Sequence, residues 1–194
     1  MRHMIPILAG ERHMLPILAG TRHMIPILAA LAAPAAPAAA HVTADPPQAV
    51  AGSHVRVALR VPHGCAGAAT TGIAVEIPDG VYGVKPMPKP GWRLVLEHRP
   101  LAGPAVPRPH GRALEEGDRV VSRILWEGGT LADEHYDEFV LLLQAPEEPG
   151  GTLVLPVVQH CTGGRSEAWV ERPAAGQAAH DLPRPAPAMR LLPR

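Results

Sequence analysis

The chain has 194 residues, with 18 Lys+Arg balanced by 18 Asp+Glu and a formal net charge of zero. That length holds one ordinary domain plus a targeting segment, and the neutral charge removes the electrostatic footprint that nucleic-acid binding needs. Aromatic residues make up only 3%, so a core must come from Val, Leu and Ile; 24 prolines and 19 glycines favour short strands and turns over long helices.

Residues 1–30 are three copies of one decamer, MRHMIPILAG, ERHMLPILAG and TRHMIPILAA. A ten-residue unit with a central proline is too short to stack as a solenoid. It reads as a duplicated gene start, with Met14 and Met24 as alternative initiators. Its Arg-His-Met triplets read as the basic region of an export signal rather than as metal ligands. From Met24 to Ala40 the chain is uncharged, follows Arg22 and ends in Ala38-Ala39-Ala40, which fits the small-residue cleavage rule. Residues 1–40 are therefore expected to be a signal peptide, removed on export. Pro26, Pro34 and Pro37 make this stretch a poor membrane span. No later apolar run suggests a membrane anchor.

Cleavage after Ala40 would make His41 the first residue of a domain over 41–172. Ser53 to Val61 alternates Val55, Val57, Leu59 and Val61 with polar or small residues, the period-two pattern of a half-buried strand. Thr70 to Ile77 places Thr71, Ile73, Val75 and Ile77 on one face. Val81 to Pro90 is proline-studded and reads as an edge or extended loop. Strands follow over Trp92 to Glu97 and over Arg119 to Trp126, the second closed by Gly128-Gly129, with a proline-rich loop over 100–111 between them. Tyr136 to Gln144, Thr152 to Gln159 and Glu167 to Glu171 complete the set. Residues 173–194 carry five prolines and read as an irregular tail. Seven or eight short strands separated by turn signals predict an antiparallel β-sandwich.

Two cysteines, Cys65 and Cys161, are widely separated and form no Cys-x-x-Cys pair. In an exported protein the default is one structural disulfide. Closing so long a loop removes denatured-state entropy worth about 4–5 kcal/mol in the chain-entropy view. Two free buried thiols, or a thiolate pair for Cu(I), are the alternatives.

An N-terminal histidine offers an α-amine, the next backbone amide nitrogen and an imidazole Nδ1 to one metal ion. The amine has a reference pKa of about 7.7–8.0 and imidazole about 6.5, so both lose their protons readily near neutral pH. Such a donor set suits Cu(II), which favours tetragonal nitrogen and oxygen ligands. The plain alternative for His41 is a frayed chain end. The sequence contains neither Gly-x-Ser-x-Gly nor His-Glu-x-x-His, so nothing in it points to a hydrolase.

Several stretches resemble the YcnI-like copper-associated domain of bacterial secreted proteins. They are His41-Val42-Thr43, Val61-Pro62-His63-Gly64-Cys65 with Ala69-Thr70-Thr71, and Val75-Glu76-Ile77-Pro78-Asp79-Gly80-Val81. Further on come Lys85-Pro86, Lys89-Pro90-Gly91-Trp92, Tyr136-Asp137-Glu138-Phe139 and Pro156-Val157-Val158-Gln159 with Cys161. Trp169-Val170-Glu171, Gly176-Gln177-Ala178-Ala179-His180-Asp181-Leu182 and Pro185-Ala186-Pro187 close the series, in family order over nearly all of 41–190. The resemblance implies an immunoglobulin-like sandwich, secreted to the periplasm or cell surface. It also implies Cu(II) held by His41 in a monohistidine brace, with Trp169 near the metal. Copper acquisition or trafficking is the implied role, with a copper donor or acceptor protein as partner and a membrane copper transporter among the candidates.

Glu138, with Asp137 beside it, is a candidate oxygen ligand, weighed against a solvated strand end. A second imidazole at the metal would make a two-histidine site of the kind used by oxidative copper enzymes. His135 and His160 are the first candidates for it, ahead of His54, His63, His98, His110 and His180. The leading expectation is a non-catalytic exported Cu(II)-binding protein. The alternatives are a copper-dependent oxidase or monooxygenase, and a metal-free structural or adhesion sandwich.

Overall fold

The structure is a computed structural model that describes residues 41–106 and 112–194; the signal peptide expected over 1–40 lies outside the described residues. In chain order the strands are β1 (Thr43–Asp45), β2 (Gln48–Val50), β3 (His54–Val61), β4 (Thr70–Glu76), β5 (Tyr82–Pro86) and β6 (Arg93–Pro100). They continue as β7 (Arg119–Leu131), β8 (Asp137–Gln144), β9 (Thr152–Val154), β10 (Val157–Cys161), β11 (Ser166–Trp169) and β12 (Ala188–Leu192). One sheet has the order β1-β3-β8-β5, a second β11-β10-β4-β7-β6, and a small third β2-β12-β9. All pairings are antiparallel except β12 with β2.

The alternating residues of β3 do what their period dictates: Val57, Leu59 and Val61 are fully buried. Their partners on β8 place Phe139, Leu141 and Leu143 on the same inner face. Across the core they meet Ile73 and Val75 of β4 and Ile124 and Trp126 of β7. The two larger sheets thus form a β-sandwich, each presenting one apolar face to the other. With few aromatics available, three of them are spent at its centre. Phe139 lies edge-on to Trp126 at 5.6 Å and to Trp92 at 5.0 Å between ring centroids, the geometry that aromatic quadrupoles prefer. The indole N–H of Trp126 donates to the Met87 carbonyl at 3.0 Å, so its one polar atom is satisfied.

Four departures from the expected pattern have local causes. Strand β7 does not stop at Gly128-Gly129 but runs on to Leu131. The Trp92 indole lies over Gly129 so closely that an added Cβ would meet its Cε2 at 2.1 Å, so the glycine is a seat for a ring rather than a turn. The strand expected over Thr152 to Gln159 is divided at Pro156, with β9 in the third sheet and β10 in the second. In β4 a register shift between Thr70 and Gly72 turns Thr70 fully inward and leaves Thr71 half-buried. That bulge breaks the simple alternation expected of Thr71. Finally, the irregular tail expected over 173–194 contains β12, whose Met189 and Leu191 are buried to 0% and 1% exposure. Prolines 183, 185 and 187 obscured a short alternating strand that lies behind them.

Candidate metal centre

Strand β11 pairs with β10 so that Trp169 lies opposite Val157. Period-two alternation then turns Ala168 and Val170 outward and buries Trp169 to 4% exposure in the core between the sheets. A buried indole needs an acceptor for its N–H. Trp169 Nε1 donates to Gln159 Oε1 at 3.0 Å. Gln159, itself fully buried, donates from Nε2 to the His63 carbonyl at 2.6 Å and to Thr70 Oγ1 at 2.7 Å. An indole can only donate and a carbonyl can only accept, so these partners fix which way the amide points. The side-chain amide uses its acceptor once and its donors twice.

Two imidazoles rest against this same indole. The His41 ring lies 5.8 Å from that of Trp169 between centroids, tilted by 57°, and the His63 ring lies 6.3 Å away at 70°. Both histidines are half-buried. His41 is carried there by Val42, which is buried at 2% exposure immediately before β1, so the domain is anchored from its second residue onward. His63 is held by a loop tied on several sides. Its Nδ1 is 2.6 Å from the Gly64 carbonyl, and the Gly64 N–H donates to Asp133 Oδ1 at 3.0 Å. Position 64 must be glycine, because a Cβ there would lie 1.9 Å from the Ala68 carbonyl oxygen. One residue further on, Cys65 forms the disulfide with Cys161, Cα to Cα 6.0 Å, as the sequence led us to expect.

Of the residues singled out from sequence, His41 and Trp169 are brought together. Glu138 is engaged elsewhere. It lies on β8 opposite Arg60, whose guanidinium reaches its carboxylate at 3.3 Å, and β3 separates it from β1. Asp137 is paired with Lys89 at 2.7 Å. Neither candidate for a second imidazole reaches Trp169. His160 alternates with the inward Gln159 and Cys161, so its side chain is on the outer face of β10, beside Gly72. His135 is in the turn between β7 and β8, close to Glu134. Among the described residues, the second imidazole that shares the indole is His63, which sequence reasoning left among the remaining histidines; His110 lies outside the described residues. A signal for it exists. His63 and Gln159 each stand two residues before a half-cystine, and residues two apart in extended chain share a face. A bond between Cys65 and Cys161 therefore brings 63 and 159 together.

The donor set can be tested against copper on this geometry. Among the described residues, no group of three or more His, Cys, Asp or Glu side chains stands close enough to hold a metal ion. Side chains alone do not make the site. Nitrogen donors at His41, supplemented by its own α-amine once that amine is exposed, do fit a metal that prefers nitrogen in a tetragonal arrangement. The buried Trp169 ring beside His41 adds an apolar neighbour.

Fold and site together define an immunoglobulin-like β-sandwich, crosslinked by one disulfide, with an indole–imidazole cluster where its first strand begins. Residues 41–191 match the family described as Domain of unknown function (DUF1775), and the chain belongs to that family. It is also similar to a crystal structure of an uncharacterized protein from Nocardia farcinica that reveals an immunoglobulin-like fold. The two are 28% identical with a TM-score of 0.58, over 78% of this chain and 98% of that one. No curated protein matches the chain.

Proposed function

We propose that this protein is an exported, non-catalytic Cu(II)-binding protein of the YcnI-like kind, acting in copper acquisition or trafficking. In this reading, removal of residues 1–40 exposes the α-amine of His41. That amine, the following amide nitrogen and the His41 imidazole then hold the metal. The observation that carries it is the placement of His41: first residue of the family match, anchored by buried Val42, and packed on buried Trp169. A frayed terminus would have no reason to adopt a fixed partner in the core. The bound ion would supply the redox and ligand-exchange chemistry of copper, and the chain's contribution is to orient His41 and keep water from one side of it. Export would deliver the protein to the periplasm or cell surface, where a copper donor or acceptor, including a membrane copper transporter, would meet it.

The test has two parts. Mass spectrometry of the secreted protein should give His41 as its first residue. Protein starting there should bind one equivalent of Cu(II) tightly, and a single extra residue ahead of His41 should abolish tight binding. Unchanged affinity in the extended protein would refute the brace.

A further inference from the structure

We propose that the open edge of the sandwich, between β5 and the strand pair β6–β7, binds a small organic carboxylate. Arg119 and His98 hold the anion, and an apolar wall holds its body. The site shares no residue with the indole–imidazole cluster, and the inference is independent of copper.

The pleat brings two bases to positions where the rest of this strand pair places core residues. Leu94 of β6 pairs with Trp126 of β7, and Leu96 with Ile124; Trp126 and Ile124 are fully buried. After a register shift between Glu97 and His98, the pairing continues as His98 with Val121 and Pro100 with Arg119. Cross-strand partners share a face, and so do residues two apart in one strand. Val121 packs against the core, so His98 and Arg119 are on the same inner side as Leu96 and Ile124. Strands β5 and β6 are the last of their sheets, so the sandwich is open here and both basic residues are exposed.

A cleft of about 190 Å³ fills this opening. Val81, Val84, Leu114 and Val121 give it an apolar wall, and His98, Arg119 and the exposed Lys85 give it basic groups. Among the described residues no carboxylate lines it, and none of those three bases is in an ion pair. The acids beside them in sequence are engaged elsewhere, Glu97 with Arg123 at 3.4 Å and Asp118 with Arg112 at 2.6 Å. A concave site lined by one sign of charge concentrates ligands of the other.

Size and chemistry narrow the ligand. About 150 Å³ is enough for a benzene ring, so this cleft takes a ring or a short branched chain bearing one charge. The paired N–H donors of a guanidinium match a carboxylate, and an imidazole adds a further donor. An apolar wall with a few convergent polar groups is the usual form of a small-molecule site. Free phosphate would meet the bases and leave the wall wet; a neutral ring would cover the wall and leave the bases unmet.

The experiment titrates copper-free protein, so that no metal-bound carboxylate is counted, and follows binding by ligand-observed nuclear magnetic resonance. The probe is benzoate. Its comparators are benzamide, which has the ring without the charge, and inorganic phosphate, which has the charge without the ring. Benzoate should saturate one site with a Kd of about 1 mM or below. Benzamide and phosphate should each bind about tenfold more weakly or worse. Arg119→Gln should weaken benzoate about tenfold and His98→Gln about threefold, with near-ultraviolet circular dichroism checking that both stay folded. Arg56→Gln, which removes an exposed arginine paired with the exposed Leu142 on the outer face of β3 and β8, should change nothing. Equal binding of benzamide would reduce the cleft to an apolar groove, and equal binding of phosphate to a charged surface; either overturns the proposal. So does benzoate that fails to saturate, an unchanged affinity in Arg119→Gln, or an equal loss in Arg56→Gln.

Discussion

The sandwich buries two tryptophans, and they are treated differently. Trp126 is surrounded by hydrocarbon and by Phe139, and its N–H is dispatched to a backbone carbonyl. Trp169 has imidazoles against its ring and gives its N–H to the side chain of Gln159, which in turn holds Thr70 and the His63 loop. The first arrangement is satisfied by any well-packed sheet with a carbonyl in reach. The second needs a particular amide, threonine and disulfide, each of which would be a poor choice if only core filling were at stake. A buried polar network is costly unless every member is paired. The difference marks Trp126 as part of the scaffold and sets Trp169 in a polar network beside His41, where the proposed function places the metal.

Three substitutions would break or sharpen this contrast. The largest loss should follow replacement of both cysteines by serine. The closed loop spans 96 positions, and its release should lower unfolding free energy by about 4–5 kcal/mol in denaturant titrations. A loss below about 1 kcal/mol would show that the network holds without its crosslink. Next, Trp126→Ala should cost about 3–5 kcal/mol by cavity formation. Copper stoichiometry of the folded fraction should nevertheless be unchanged, and a copper defect in that fraction would erase the distinction between the two indoles. Gln159→Leu should cost less, about 1–3 kcal/mol, by leaving the Trp169 N–H without an acceptor and the His63 carbonyl without a donor. Its diagnostic effect is selective. Trp169 emission and its quenching by Cu(II) should change while the contribution of Trp126 does not.

Much of the scaffold was legible because alternation is a direct imprint of the pleat. Val57, Leu59 and Val61 face inward for no other reason than their spacing, and the apolar run Phe139 to Leu143 marks a buried strand without further help. What alternation misread were places where one residue changes the frame: the bulge at Thr70, the division at Pro156 and the ring seat at Gly129. Each depends on a partner distant in sequence. The site divided along the same line. His41 could be singled out from sequence because the chelating chemistry expected of it depends only on position along the chain. The packing of His63 on Trp169 could not be, because it depends on the tertiary pairing of Cys65 with Cys161 and on which side of β10 Gln159 faces. His160, one of the first candidates for a second imidazole, stands one residue from inward-facing Gln159, and a one-residue offset in a strand sends a side chain to the opposite face.

Strand β12 has a consequence for the order of events in the life of the chain. Its Met189 and Leu191 fill the core, and it is the middle strand of the sheet that joins β2, near the start of the domain, to β9. Synthesis runs from His41 towards Leu192, so the earliest strands must wait for the last one before their sheet can close. A chain caught before β12 is made would present β2 and β9 as unpaired strands.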